Sequence, residues 1–233
     1  MRMSLATNLL LWGLWSPYGV LAQQVHPDLI REVSAVRAEL ARNNADLRQY
    51  AWSALTEVFV KKDLKSSGEY RCRYDRNGEL TRTLLGTGKQ METANAVSKR
   101  PKVRSKAEMQ DYIERAISRI YRYVPPDPDQ IDSLLRSGNA SLGRSTGTTS
   151  EVRFMNYFEK GDTLIFTYDS VSKTLLRANI TSSLGSPKDP VTLEAVFEKL
   201  PEGVNHISSA TLNASAKKVQ VKVRNTSYEK LAN

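Results

Sequence analysis

From about Glu151 to Leu231 apolar and polar residues alternate, segment after segment, and no other feature limits the fold of this chain as tightly. Val191-Thr-Leu-Glu-Ala-Val-Phe-Glu198 sets Val191, Leu193, Ala195 and Phe197 on one side, with Thr192, Glu194 and Glu198 among those on the other. Lys218-Val-Gln-Val-Lys-Val-Arg224 repeats the pattern with three valines. A period of two is what a strand requires when one face meets a core and the other meets water. Expected strands are Glu151–Glu159, Thr163–Val171, Thr174–Leu184, Val191–Leu200, Asn205–Ala214 and Lys218–Ser227, with turn residues such as Lys160-Gly-Asp162 and Pro201-Glu-Gly203 between them. Short links of this kind pair neighbours into an antiparallel sheet.

Ahead of this meander the order changes. Pro27 and Asp28 open a helix to about Asn43, with Leu29, Val33, Val36 and Leu40 at spacings of three and four. Tyr50–Lys61, rich in aromatic and β-branched residues, reads as a long strand. A turn over Lys62–Gly68 precedes a hairpin whose strands, Glu69–Tyr74 and Glu79–Leu85, meet at Asp75-Arg-Asn-Gly78. Residues 86–106 lack periodicity and concentrate Lys99, Arg100, Lys102, Arg104 and Lys106, which reads as a flexible basic loop. From about Ser105 a second helix presents Met109, Tyr112, Ile113, Ala116, Ile117, Ile120, Tyr121 and Val124 as one stripe, and a short third helix covers Asp129–Arg136. Ser137–Ser150, full of Gly, Ser and Thr, reads as a flexible connector. Strands and helices segregated in this way describe an α+β domain with the sheet on one side and helices on the other.

Residues 1–22 have the form of a secretory signal: Arg2, the apolar run Leu9–Trp15, and Val20-Leu-Ala22 as a small-residue cleavage site. The competing reading is a retained anchor, which so short a run does not favour. Cleavage after Ala22 leaves residues 23–233 as a single domain, long enough for one substantial core. The destination is therefore periplasmic or extracellular. With one cysteine, Cys72, no internal disulfide forms, and stability has to come from burial and the sheet ladder. Cys72 shares a strand face with Tyr70 and Tyr74, which suits a buried thiol rather than a nucleophile.

The formal charge of +9, of which Arg2 contributes one, favours anionic partners in a salt-sensitive way and equally serves solubility. The Lys99–Lys106 cluster resembles a nuclear address, but an export signal argues against that, and no nucleic acid is expected. An anionic membrane surface is the partner these five residues suit.

Chemistry-bearing motifs are sparse. His26 and His206 are the two imidazoles, without a Cys or His partner at metal spacing, so neither metal nor cofactor is expected. No Gly-x-Ser-x-Gly elbow or phosphate loop occurs. Glu57, Glu194 and Glu198 fall where alternation places solvent, and Asp127 and Asp129 suit helix capping. Asn139, Asn179, Asn213 and Asn225 each begin an Asn-x-Ser/Thr triplet, a glycan acceptor in a eukaryote and a chance match in a bacterium. These observations describe a protein that is not an enzyme.

Helix, strands, helical insertion and long meander, in that order, resemble the periplasmic lipoprotein-carrier and outer-membrane lipoprotein-sorting-like group. The segment Thr163-Leu-Ile-Phe-Thr-Tyr-Asp-Ser-Val-Ser-Lys-Thr-Leu-Leu-Arg-Ala-Asn179 is similar to a strand–turn–strand that recurs there. The resemblance implies an exported bacterial protein with a curved antiparallel sheet, a half-barrel, covered on its concave face by helices. It also implies a lipid, a lipoprotein acyl chain or another hydrophobe held between the two. Trp52, Phe154, Phe166, Tyr168 and Phe197 would line the sheet side of that site, and Met109, Ile113 and Ile117 the helix side. At about 0.8 kcal/mol per buried CH₂, a few methylenes suffice for useful affinity. Two alternatives stand beside this expectation. The helix stripe fills the concavity and leaves only a core, or the chain is a structural or protein-interaction module that uses its basic loop on an anionic surface.

Overall fold

The structure, a computed structural model, describes residues 27–88, 101–123 and 126–231. The signal segment with its cut after Ala22, and Lys99, Arg100 and Val124, lie outside the described residues.

Among the described residues three α-helices and ten strands follow in the order α1 (Pro27–Leu47), β1 (Tyr50–Val60), β2 (Asp63–Tyr74), β3 (Leu80–Thr87), α2 (Pro101–Tyr123), α3 (Pro128–Arg136), β4 (Ala140–Thr146), β5 (Thr149–Met155), β6 (Thr163–Asp169), β7 (Leu175–Ser183), β8 (Pro190–Lys199), β9 (Asn205–Ala214) and β10 (Val219–Lys230). All ten strands belong to one sheet ordered β3-β2-β1-β10-β9-β8-β7-β6-β5-β4. Every neighbouring pair is antiparallel, and the sheet does not close. It is two meanders zipped together by β1 and β10, with Val60 opposite Val219 and Val58 opposite Val221. The chain leaves β3 at one edge and enters β4 at the other through α2 and α3.

Alternation does what the residue pattern requires. Leu164, Phe166 and Tyr168 of β6, Val191, Leu193 and Ala195 of β8, and Val219, Val221 and Val223 of β10 are all buried, while their odd-phase neighbours are not. The cross-strand rows Val152–Phe166–Ala178 and Leu164–Ile180–Leu193–Leu212 make this inner face continuous.

Buried residues of all three helices join those of the strands in one core cluster. α1 buries Leu29, Val33, Val36 and Leu40, and polar bonds tie α1 and α2 to the strands and their connections. Tyr168 donates to Glu32 Oε2 at 2.7 Å, and Lys173 Nζ donates to the same oxygen at 2.8 Å. Tyr112 of α2 donates to Asp189 at 2.7 Å, and Tyr123, the last residue of α2, donates to Asp162 and lies 3.0 Å from Ser182 Oγ. Asp127 caps α3 by accepting from the Asp129 amide at 2.9 Å.

Four sequence expectations change. α2 begins at Pro101, so Lys102, Arg104 and Lys106 belong to its first turns rather than to a loop ending at residue 106. Pro is suited to the first helical position, and Lys, Arg, Ala, Glu and Met propagate a helix whether or not they carry an apolar stripe. α1 continues through Asn43 to Leu47 because Asn43 is buried and used: its amide donates to Glu39 at 2.9 Å, and its oxygen accepts the Asn205 N–H at 3.1 Å. Of the stretch read as a turn over Lys62–Gly68, all but Lys62 belongs to the start of β2; the turn is Lys61-Lys62, both at positive φ (54° and 74°) without the usual Asn-Gly. The Gly/Ser/Thr connector holds edge strand β4, whose mostly exposed side chains show no alternation, since an edge strand needs only its backbone ladder to β5. By contrast the Asp75–Gly78 hairpin forms as read, Gly78 at φ +82° and Asp75 Oδ1 accepting the Asn77 and Glu79 amides.

Candidate functional site

The inner face is where the sequence places a ligand, and the structure divides it into two unlike halves. Toward β5 and β6 the wall is filled, up to the β4 edge where Leu142, opposite Val152, is 46% exposed. Phe154, Phe166 and Tyr168 have no exposed surface, and Phe154 and Phe166 meet edge to face with centroids 5.9 Å apart. From α2, Ile113 is buried, and Met109 and Ile117 are partly buried against the same core. Phe197 packs on it from β8, partly buried, where the β8–β9 register shifts.

Trp52 is elsewhere. β1 stands five strand spacings from β6, roughly 24 Å at the usual interstrand distance. Trp52 stacks on Tyr228 (5.5 Å) and leans on Tyr74 (5.6 Å). The eight residues assigned to one ligand wall therefore contribute to different parts of it: Phe154 and Phe166 come together, and Trp52 joins neither.

The second half is β1–β3. Register sets Trp52 opposite Cys72 and Ala54 opposite Tyr70, then Cys72 opposite Arg82, Tyr70 opposite Leu84 and Tyr74 opposite Leu80. All of these lie on the inner face. Trp52, Ala54 and Cys72 are buried, Tyr70, Tyr74 and Leu80 partly so, and Leu84 is 50% exposed. Arg82 enters this wall as a charge: its guanidinium lies 4.0 Å over the Tyr70 ring, and Nη2 donates to Thr56 Oγ1 at 3.2 Å. Burial pushes the Cys72 thiol up, against the pull of Arg82, so it stays protonated and unreactive at neutral pH. Tyr70, Arg82 and Leu84 were not chosen as ligand residues from sequence. The available signal was Leu80-x-Arg82-x-Leu84, an apolar phase interrupted by a cation.

His206 closes the aromatic group, 4.3 Å from Tyr228 in an edge-to-face contact. It is buried, its Nδ1 has no hydrogen-bond partner among the described residues, and desolvation holds the imidazole below its ordinary value of 6.5, against the opposing pull of Glu198. The unfolded chain therefore takes up a proton near pH 6.5 that the folded chain refuses until lower pH. Stability should be complete above about pH 6.5 and decline as pH falls toward the folded value. Denaturant midpoints at pH 5, 6 and 7 should show a decline that His206→Phe removes; an unchanged slope in the variant would assign the acid sensitivity to other groups.

Among the described residues no three His, Cys, Asp or Glu side chains are grouped to hold a metal ion, and no helix is long and apolar enough to cross a membrane. Glu194 and Glu198 are exposed as the alternation requires, Glu194 pairing across the strands with Arg177 at 3.1 Å.

No protein-family model matches the chain, and no curated protein matches it. Solved structures similar to it include a DUF1329 family protein from Desulfovibrio piger, 11% identical, covering 85% of this chain and 93% of that one with a TM-score of 0.42. A LolA superfamily protein from Nitrosomonas europaea is 6% identical, with coverage of 84% and 94% and a TM-score of 0.44. An outer membrane lipoprotein-sorting protein domain from Vibrio parahaemolyticus is 6% identical, with coverage of 82% and 91% and a TM-score of 0.40. The latter two bear the names of the group that the order of elements and the Thr163–Asn179 segment resemble.

Proposed function

We propose that this chain is a non-catalytic exported envelope protein that binds the hydrocarbon of a lipid, a lipoprotein acyl chain or a similar amphiphile. In this reading the sheet bends into a half-barrel with the helices in its concavity, and the ligand lies along β1–β3 rather than along β5 and β6. The observation that carries it is Leu84. A leucine half exposed on the inner face, beside Tyr70 and continuous with buried Trp52 and Cys72, is apolar surface at the β3 edge of the sheet, where Arg82 stands in the same wall; Leu142, opposite Val152 and 46% exposed, is the corresponding position at the β4 edge. Covering such surface with methylenes returns about 25 cal/mol per Å². Arg82, over Tyr70 in the same wall, suits an amphiphile with an anionic head. Phe154, Phe166, Tyr168 and Ile113 then act as the floor that keeps the wall rigid, with Met109, Ile117 and Phe197 at its margin. Lys99, Arg100, Lys102, Arg104 and Lys106 add an anionic-surface contact through their charge.

An environment-sensitive fatty-acid probe tests this. The purified protein should bind it saturably, and Leu84→Ser should weaken binding about five- to tenfold with little change in thermal midpoint, because an exposed leucine contributes little to the core. Absence of probe binding by the unaltered protein, together with no lipid co-extracted for mass spectrometry, would sink the proposal. So would equal affinity in the variant.

A further inference from the structure

The second half of α2 bounds a cleft that the acyl-binding reading leaves unused. Arg115, Ser118, Arg119 and Arg122 line a space of 280 Å³ against Leu184 and Gly185, which lie just past β7. Spacings of four and three put the three arginines along one stripe of the helix. Each guanidinium also lies near an aromatic ring: Arg115 at 5.6 Å from Tyr112, Arg119 at 6.0 Å from Tyr123, and Arg122 at 4.8 Å from Phe158. Side chains steadied in this way lose less rotamer freedom when they grip a ligand. Gly185 stands at φ +87° with open space where a Cβ would be, so this wall presents backbone rather than a side chain.

Charge decides what the cleft takes. Glu159 Oε1 accepts from Arg119 Nη1 at 2.6 Å and from Arg122 Nη1 at 3.0 Å, one carboxylate for two guanidiniums. With Arg115 included, the balance is two positive charges in excess. The acids Glu108, Asp111 and Glu114 line a neighbouring groove with Arg115 and Lys217 and do not line this one. Its volume falls just under the roughly 300 Å³ at which pockets for whole small molecules begin, which favours a compact anion. Planar guanidinium forks match tetrahedral oxyanions, and a phosphoryl group carrying between one and two negative charges balances the excess.

We propose that this cleft is a phosphoryl-binding site in which Arg115, Arg119 and Arg122 hold the oxyanion and Ser118 Oγ is a further donor. The group belongs either to free phosphate or to a phospholipid headgroup. Calorimetric titration of the purified protein with inorganic phosphate at low ionic strength tests the first source. Flotation with phosphatidylcholine vesicles, with and without phosphatidylglycerol, tests the second. Binding in the phosphate arm identifies a free anion; retention confined to phosphatidylglycerol vesicles identifies a headgroup. In whichever arm binds, Arg115→Gln combined with Arg122→Gln should weaken it at least tenfold, and Arg115→Gln alone, at an exposed position outside the Glu159 pair, about threefold. Glu159→Gln should strengthen binding severalfold, an outcome that a merely structural ion pair would not give. No binding in either arm, or binding that these variants leave unchanged, overturns the site. The phosphate arm contains no hydrocarbon, so its failure is separable from failure of the acyl-binding reading.

Discussion

Phe166→Ala is expected to lower the unfolding free energy by about 4 kcal/mol and the thermal midpoint by roughly 10 °C. Phe166 has no exposed surface, lies opposite Val152 and Ala178 on neighbouring strands, and meets Phe154 edge to face. Truncation removes the transfer energy of a ring and leaves a void that the two flanking strands cannot close without breaking their ladders. The partners on either side are themselves fully buried, so relaxation is limited. Chemical denaturation of the variant measures the loss directly. A cost below 1 kcal/mol would show that this half of the inner face is loosely filled, and the ligand would then belong along β5 and β6 instead of along β1–β3. Where the variant remains folded, its affinity for the fatty-acid probe should match the unaltered protein, in contrast to Leu84→Ser.

Asp162→Ala is expected to be nearly as costly, about 3 kcal/mol. Asp162 is 2% exposed, and its carboxylate accepts from the Tyr123 hydroxyl and, at 2.9 Å, from the Glu159 amide. Removing it takes the acceptor from the part-buried Glu159 amide and leaves the buried Tyr123 hydroxyl with Ser182 Oγ alone, and a buried donor that loses its acceptor costs more than a hydrogen bond contributes. The same environment raises the Tyr123 hydroxyl to about 12, through burial first and the Asp162 bond second, so the phenol remains a donor across the physiological range. The bond fastens the end of α2 to the β5–β6 connection, while Ser182 ties Tyr123 to β7. Hydrogen exchange should therefore accelerate at the last turn of α2 in the variant, with β8–β10 unaffected. Tyr123→Phe should cost less, since Asp162 keeps its bond to the Glu159 amide. A variant within 1 kcal/mol of the unaltered protein, or exchange unchanged in α2, would mean that this contact does not anchor the helix.

How far these sites were legible in advance differs from residue to residue. Val191, Leu193 and Ala195 announce their burial through alternation alone, and Ile113 and Ala116 through helical spacing, because both signals arise from geometry within one segment. Asp127 was readable as a cap for the same reason. β4 was not, since Ala140–Thr146 has no buried face to imprint a pattern, and neither were the first turns of α2, where charged helix formers resemble a loop. Asn43 misled in the opposite sense: a helix breaker by composition, it is retained inside α1 by bonds to Glu39 and to the distant Asn205 amide.

The inner face shows the division most clearly. Period-two sterics fix which side of its own strand Trp52, Phe166 or Leu84 occupies, so the chain's residues alone determined an antiparallel sheet with one apolar face and helices to cover it. Which strands become neighbours is settled by packing over the whole molecule. β1 meets β10, more than 150 residues later in the chain, and that pairing separates Trp52 from Phe166 and leaves Leu84 at the β3 edge. Spacings of four and three alone put Arg115, Arg119 and Arg122 on one stripe of α2, yet that stripe bounds a cleft only because the turn carrying Gly185 is brought beside it. A residue's own neighbours set its orientation; contacts between segments far apart in sequence set what it faces.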